Sequence, residues 1–193
     1  MGDARGTSPL PSDDASAHVL DEAERHFLRD GYAGTRLAAV AAALGIRPAS
    51  LYHHAPGGKR QLWDRVVARA LARHRDGLRV AATGAAGFRE QLVAMALWQL
   101  SQPAVHVVAV AAQEPGMAEA LYDALMQPVA DALRDAQARG EARADLAPDL
   151  FAGVFASAVA GLRAAERDGA LPAEAEDLAL AVVDLLVAGA GTR

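Results

Sequence analysis

Alanine fills about a quarter of this chain of 193 residues, far above ordinary usage. Alanine gives up the least on entering a helix, whereas strands favour β-branched and aromatic residues. Aromatic residues make up only 5% of the chain. The balance predicts an all-α protein and argues against sandwiches and barrels. The length suffices for one or two domains with a real core. Cysteine is absent, which excludes disulfide scaffolds, thiolate metal sites and cysteine nucleophiles.

The formal net charge of −5 argues at first against a nucleic-acid partner. Its distribution reverses the argument. Residues 1–75 carry a net of +3 and residues 76–193 a net of −8. Within 25–75, ten basic residues meet only two acids, Asp30 and Asp64, for a net of +8. Such asymmetry is that of a small polyanion-facing module joined to an acidic body. The competing reading is a set of basic residues scattered over solvated helix faces.

Residues 1–12 offer almost nothing to bury and are expected to be a disordered tail. They contain no apolar core of a secretory signal, and no stretch reaches the roughly 20 apolar residues of a membrane span. A cytoplasmic protein with no membrane partner is expected. A first helix runs from Asp13 to about Asp30, with Val19, Leu20, Ala23 and Phe27 on one face and Gly31 as its stop. Thr35 reads as the N-cap of a short helix, Arg36–Leu44, which Gly45 ends. Pro48 opens another short helix to about His54. After the break at Ala55–Gly58, a long helix spans about Lys59–Arg79, with Leu62, Val66, Ala70 and Leu71 inward. Further helices follow at Phe88–Ser101, Ala104–Ala112, Met117–Arg139 (kinked or split at Pro128), Pro148–Asp168 and Pro172–Ala188.

Two short helices joined at Gly45 and preceded by a longer one form the unit that sets its second helix in the DNA major groove. Leu37, Val40, Ala41, Leu44, Ile46 and Leu51 pack inward. Arg47, Ala49, Ser50, His53 and the Tyr52 hydroxyl remain on or near the outer face. Arg47 is suited either to a guanine or to a phosphate. His53 and His54 are a poor metal pair, since adjacent residues on a helix face different ways. Arg65, Arg69 and Arg73, spaced i, i+4, i+8, read as a solvated face.

The series from Phe27 to Tyr32, through Thr35–Ile46, to Ser50–His54 and Lys59–Leu62 resembles the N-terminal domain of TetR-family transcriptional regulators. The resemblance covers about the first third of the chain. It implies a three-helix DNA-binding domain over 13–58, joined through the long fourth helix to a regulatory and dimerisation domain over 59–193. It implies phosphate contacts for Tyr52 and Lys59 and a phosphate cap at Thr35. The whole expected DNA-facing set is Thr35, Arg36, Arg47, Pro48, Ala49, Ser50, Tyr52, His53 and Lys59. The implied protein is a homodimeric repressor, released from a palindromic double-stranded DNA operator by a small-molecule effector, with no cofactor.

The acidic body adds its own support for a dimer. Gly153, Ser157 and Gly161 recur every four residues, beside Phe151 and Val154. Small residues in register let a second helix approach closely. The last helix adds Leu178, Val182, Leu185 and Leu186, enough for a symmetric four-helix interface. The competing reading buries both helices within one subunit. For the effector, Trp98, His106, Met117, Tyr122, Met126, Phe155 and Arg163 mix large apolar groups with polar ones, as ligand sites do. An enzyme is not expected: the chain has no phosphate loop, no His-Glu-x-x-His and no Gly-x-Ser-x-Gly. A helical adaptor that binds another protein is the third possibility.

Overall fold

In the first helix, α1 (Ser12–Gly34), the apolar spacing noted above turns Val19, Leu20, Ala23 and Phe27 to the inside. Gly31 interrupts its helical dihedrals with φ 69°, and the chain kinks there. This is a computed structural model, and it describes residues 12–102, 116–170 and 174–191. All regular structure among them is helical. The expected tail before Ser12 and the expected helix at Ala104–Ala112 lie outside the described residues.

Next come α2 (Leu37–Ala43) and α3 (Pro48–His54). Gly45 makes the turn between them, at φ 68°. The amide of Ile46 donates to the carbonyl of Ala41 and that of Gly45 to Ala42, both at 3.0 Å. These two bonds satisfy the last carbonyls of α2, and the left-handed backbone they need suits glycine. The long α4 (Gly58–Ala82) follows. The chain divides into two compact units after Arg69, within this helix.

The first unit is held by Val40, Ala41, Leu51, Leu62, Trp63 and Val66, together with the inner face of α1. Trp63 sets its ring edge-on to Phe27 and Tyr32, with centroids 5.0 and 5.6 Å away. Leu51, 1% exposed, fastens α3 to this core. Full burial of such a side chain is worth about 1.5–3 kcal/mol.

The second unit contains α5 (Phe88–Ser101), α6 (Ala118–Leu121), α7 (Gln127–Ala138), α8 (Pro148–Arg167) and α9 (Ala175–Ala190). A π-helical turn, Tyr122–Met126, links α6 to α7. It stands just before Pro128, which has no amide to donate and whose ring crowds the preceding turn; a widened turn accommodates both. Phe88, Leu92, Met95, Val129, Leu133, Phe151, Phe155, Val159 and Val183 form the core.

Candidate nucleic-acid interface

Helix α3 presents Arg47, Pro48, Ala49, Tyr52 and His53 to solvent, with Ser50 half-buried. Arg47 is its N-cap residue and Pro48 starts it, as the preference of proline for the first turn dictates. Tyr52 is 51% exposed, so its ring is a surface group rather than a core aromatic. Arg36, at the N-cap of α2, is also exposed.

The basic residues of this unit fall into two groups. Most already have a partner. Arg25 pairs with Glu22, Arg29 with Asp30 and Arg60 with Asp64. Arg69 bridges Asp21 at 2.8 Å and Glu24 at 2.9 Å. Arg65 donates to the carbonyl of His54 at 2.6 Å, closing the C-terminus of α3. The solvated face expected for Arg65 and Arg69 is therefore a pair of clamps. Among the described residues, Arg36 and Arg47 alone of the arginines in α1–α3 and their connections have no side-chain partner.

Two of the side chains expected at phosphates have partners within the chain. Thr35 is not the N-cap of α2, a place that Arg36 takes. Thr35 is 2% exposed, and its Oγ1 donates toward the carbonyls of Gly31 at 2.7 Å and His26 at 3.1 Å. Its amide also bonds to the carbonyl of Gly31, at 3.1 Å. The hydroxyl works backwards, onto the kinked end of α1, instead of forwards onto α2. Lys59 is likewise occupied. Its Nζ donates to the carbonyls of Tyr32 (2.8 Å), Thr35 (3.1 Å) and Ala33 (3.3 Å), and sits 4.7 Å from the centroid of the Tyr32 ring. An ammonium has three protons, and three carbonyls take them. Lys59 pins the start of α4 to the α1–α2 junction.

Among the described residues, those expected to hold a ligand do not all gather in one place. Tyr122 donates its hydroxyl to Asp149 at 2.5 Å, and Met126 lines an open groove with Leu150, Gly153 and Val154. Phe155 is wholly buried in the core, and Met117 is half-buried ahead of α6. Trp98 packs edge-on to His74 at 5.0 Å. Arg163 donates to the carbonyls of Gln99, Leu100 and Gln102, which closes the C-terminus of α5. His106 lies outside the described residues.

The expected dimer set also divides. Phe151 is a core residue whose ring lies 5.7 Å from that of Phe88. Val154, Ser157, Gly161 and Leu185 are exposed; Gly153, Leu178, Val182 and Leu186 are half-buried.

His74 and Gln99 were missed in the sequence. His74 continues the inward register of Leu62, Val66 and Ala70, a signal that was there to be used. Burial and the Arg163 guanidinium push its imidazole down to about 4.

Residues 19–66 match the family model described as bacterial regulatory proteins, tetR family. A comparison with curated proteins returns no match. Among solved structures, the fold is similar to that of a protein of unknown function from Rhodococcus sp. RHA1. The two are 21% identical, over 96% of this chain and 100% of that one, with a TM-score of 0.78. It is also similar to a protein described as a transcriptional regulator from Saccharomonospora viridis, in complex with choline (22% identity, 94% and 100% covered, TM-score 0.76). A TetR transcriptional regulator from Chloroflexus aurantiacus J-10-FL gives 18% identity, 91% and 93% coverage and a TM-score of 0.73. Regulators of this kind are generally non-enzymatic. The helix-turn-helix falls inside the matched segment, so residues 19–66 are similar to the DNA-binding domain of TetR-family transcriptional regulators, and the whole chain shares the fold of the solved structures above.

Proposed function

We propose that this regulator is a homodimeric repressor that reads a palindromic operator through α3 and releases it when a small molecule binds the C-terminal unit. The observation that carries the reading is the pair of exposed guanidiniums at Arg36 and Arg47, which have no side-chain partner among the described residues. An arginine without an internal carboxylate loses no ion pair when it reaches a phosphate or a guanine edge. Pro48, Ala49, Ser50, Tyr52 and His53 complete the surface, with the small side chains of Ala49 and Ser50 allowing close approach to base edges. Thr35 and Lys59 act one step back, by holding the junction from which α2 and α3 project.

The dimer reading rests on the outer faces of α8 and α9. Leu150, Val154 and Leu185 are exposed large apolar groups, and Leu185 is 75% exposed. A β-carbon placed on Gly153, Gly161 or Gly189 meets nothing within 4 Å, so these glycines border open space. Apolar side chains beside small residues suit a second helix pair. That a related fold holds choline supports an effector site here as well.

The test is fluorescence anisotropy with the promoter DNA that flanks the protein's own coding region. A specific, salt-sensitive complex is expected, and Arg47→Ala lowers the preference for that DNA over random sequence by about 1–3 kcal/mol. No specific complex at low salt refutes the reading. Equal losses on promoter and random DNA restrict Arg47 to phosphate contact. Leu185→Glu is expected to give monomers in sedimentation and to weaken operator binding; a dimer of unchanged strength removes α9 from the interface.

A further inference from the structure

The regulatory unit contains a buried polar cluster that the DNA-binding function does not use. His74 and Gln99 are each only 7% exposed. Among the described residues, the Nε2 of each has no hydrogen-bond partner. Buried polar groups in folded proteins are normally paired, and an unpaired one costs the folded chain its hydration without return. Two such groups stand on neighbouring elements here. Trp98, next to Gln99 in α5, lays its ring against the imidazole of His74 in α4. The contact is built in: a β-carbon on Gly77 would lie 1.9 Å from Cζ2 of Trp98, so α4 has no side chain where the indole sits. Arg163 of α8 grips the carbonyls of Gln99, Leu100 and Gln102 beside them.

The geometry points to the face formed by His74, Trp98 and Gln99, with Arg163 beside it, as the polar end of a binding site for a small organic molecule that offers oxygen acceptors (a carbonyl or a carboxylate) on a flat apolar body. The inference rests on the effector reading above and adds the ligand class. The Gln99 amide supplies N–H donors, and a neutral imidazole supplies a donor or an acceptor according to its tautomer. The indole gives a flat apolar wall. The guanidinium makes the local potential positive, which disfavours a cation and favours an anion or a carbonyl dipole. Burial first, and then the same guanidinium, lower the His74 imidazole from 6.5 to about 4, so it is neutral near pH 7. A ligand acceptor on Gln99 would complete a hydrogen bond that the described residues leave unmade, so part of the binding free energy is already stored as an unmet donor.

Three probes with one aromatic body separate the classes: phenylacetate, phenylacetamide and benzyltrimethylammonium. The readout is NMR of the full chain, following the imidazole of His74 and the side-chain amide of Gln99. Saturable shifts are expected with phenylacetate and phenylacetamide, and binding at least about tenfold weaker with the ammonium. Gln99→Leu is expected to weaken both acceptor probes by about tenfold and to raise the melting temperature, because it deletes a buried unmet group. A merely structural glutamine would instead lower the melting temperature and leave probe affinity alone. If the leucine variant does not fold, Gln99→Met carries the same expectation. The inference is overturned if neither acceptor probe gives a saturable shift, if the ammonium binds as tightly, or if the variants bind unchanged. Anisotropy with promoter DNA on the same sample keeps the two readings apart. Intact DNA binding with silent probes overturns this inference alone, and saturable probes without DNA binding overturn the regulator reading alone.

Discussion

The two units differ in how fully they pair their buried polar groups: among the described residues the first leaves one such atom unpaired, Arg69 Nε, and the second leaves three. In the first, Thr35 and Arg65 close helix ends, and Arg69 ties α4 to α1. His26, 5% exposed, lies between Glu22 at 3.3 Å and Asp30 at 3.6 Å. In the second, His74, Gln91 and Gln99 each keep a buried atom unpaired among the described residues. A set of satisfied contacts specifies one arrangement, while unmet donors leave an arrangement that something else can improve. On the proposed function, the first unit is a fixed reading head and the second a receptor.

The sharpest way to break this comparison is through acid. The His74 imidazole is lowered from 6.5 to about 4, first by burial and then by Arg163. The unfolded chain therefore binds a proton at a pH where the folded chain does not. Stability is complete above about pH 6.5 and falls as pH drops toward 4, by about 3 kcal/mol. His74→Phe should flatten that slope in urea titrations run across the window. A slope that survives the substitution removes His74 as its source.

Thr35→Val comes next. It is nearly isosteric but deletes a hydroxyl that serves two carbonyls in a buried place. A loss of about 1–3 kcal/mol is expected from chemical denaturation, with weaker DNA binding as α2 loosens. A neutral result would mean that the first unit is less tightly specified than its contacts suggest. The smallest effect belongs to Arg36→Ala. Among the described residues this exposed side chain has no hydrogen bond or ion pair, so stability should stay within about 0.5 kcal/mol while promoter affinity falls. A melting temperature that drops with the affinity would assign Arg36 to the scaffold.

Much of the architecture was legible because breakers and starters stand where the helices turn. Phe88–Ser101 has the bounds that its apolar pattern predicts. Pro48 and Gly45 locate α3 and the turn before it. Thr35 misled because a threonine ahead of a helix is a cap signal, while nothing local shows that its hydroxyl has an acceptor nine residues back at His26. Lys59 and Arg65 misled for the same reason, since their acceptors are backbone carbonyls, which leave no mark in a sequence. Phe151 packs in the core although its spacing suggests an outer face, because α8 is apolar on more than one side and helical spacing alone does not tell a subunit's core from a partner face. Charge, by contrast, was informative once divided: the basic stretch does coincide with the helix-turn-helix, although most of its cations are spent on internal bonds.

The chain has two tryptophans, Trp63 and Trp98. One is sealed in the core of the first unit beside Phe27 and Tyr32, and the other leans on His74 in the second. Each half of the molecule thus has its own emitter. With one indole changed to phenylalanine at a time, a fluorimeter can record the melting of the reading head and of the receptor as separate signals, without a label.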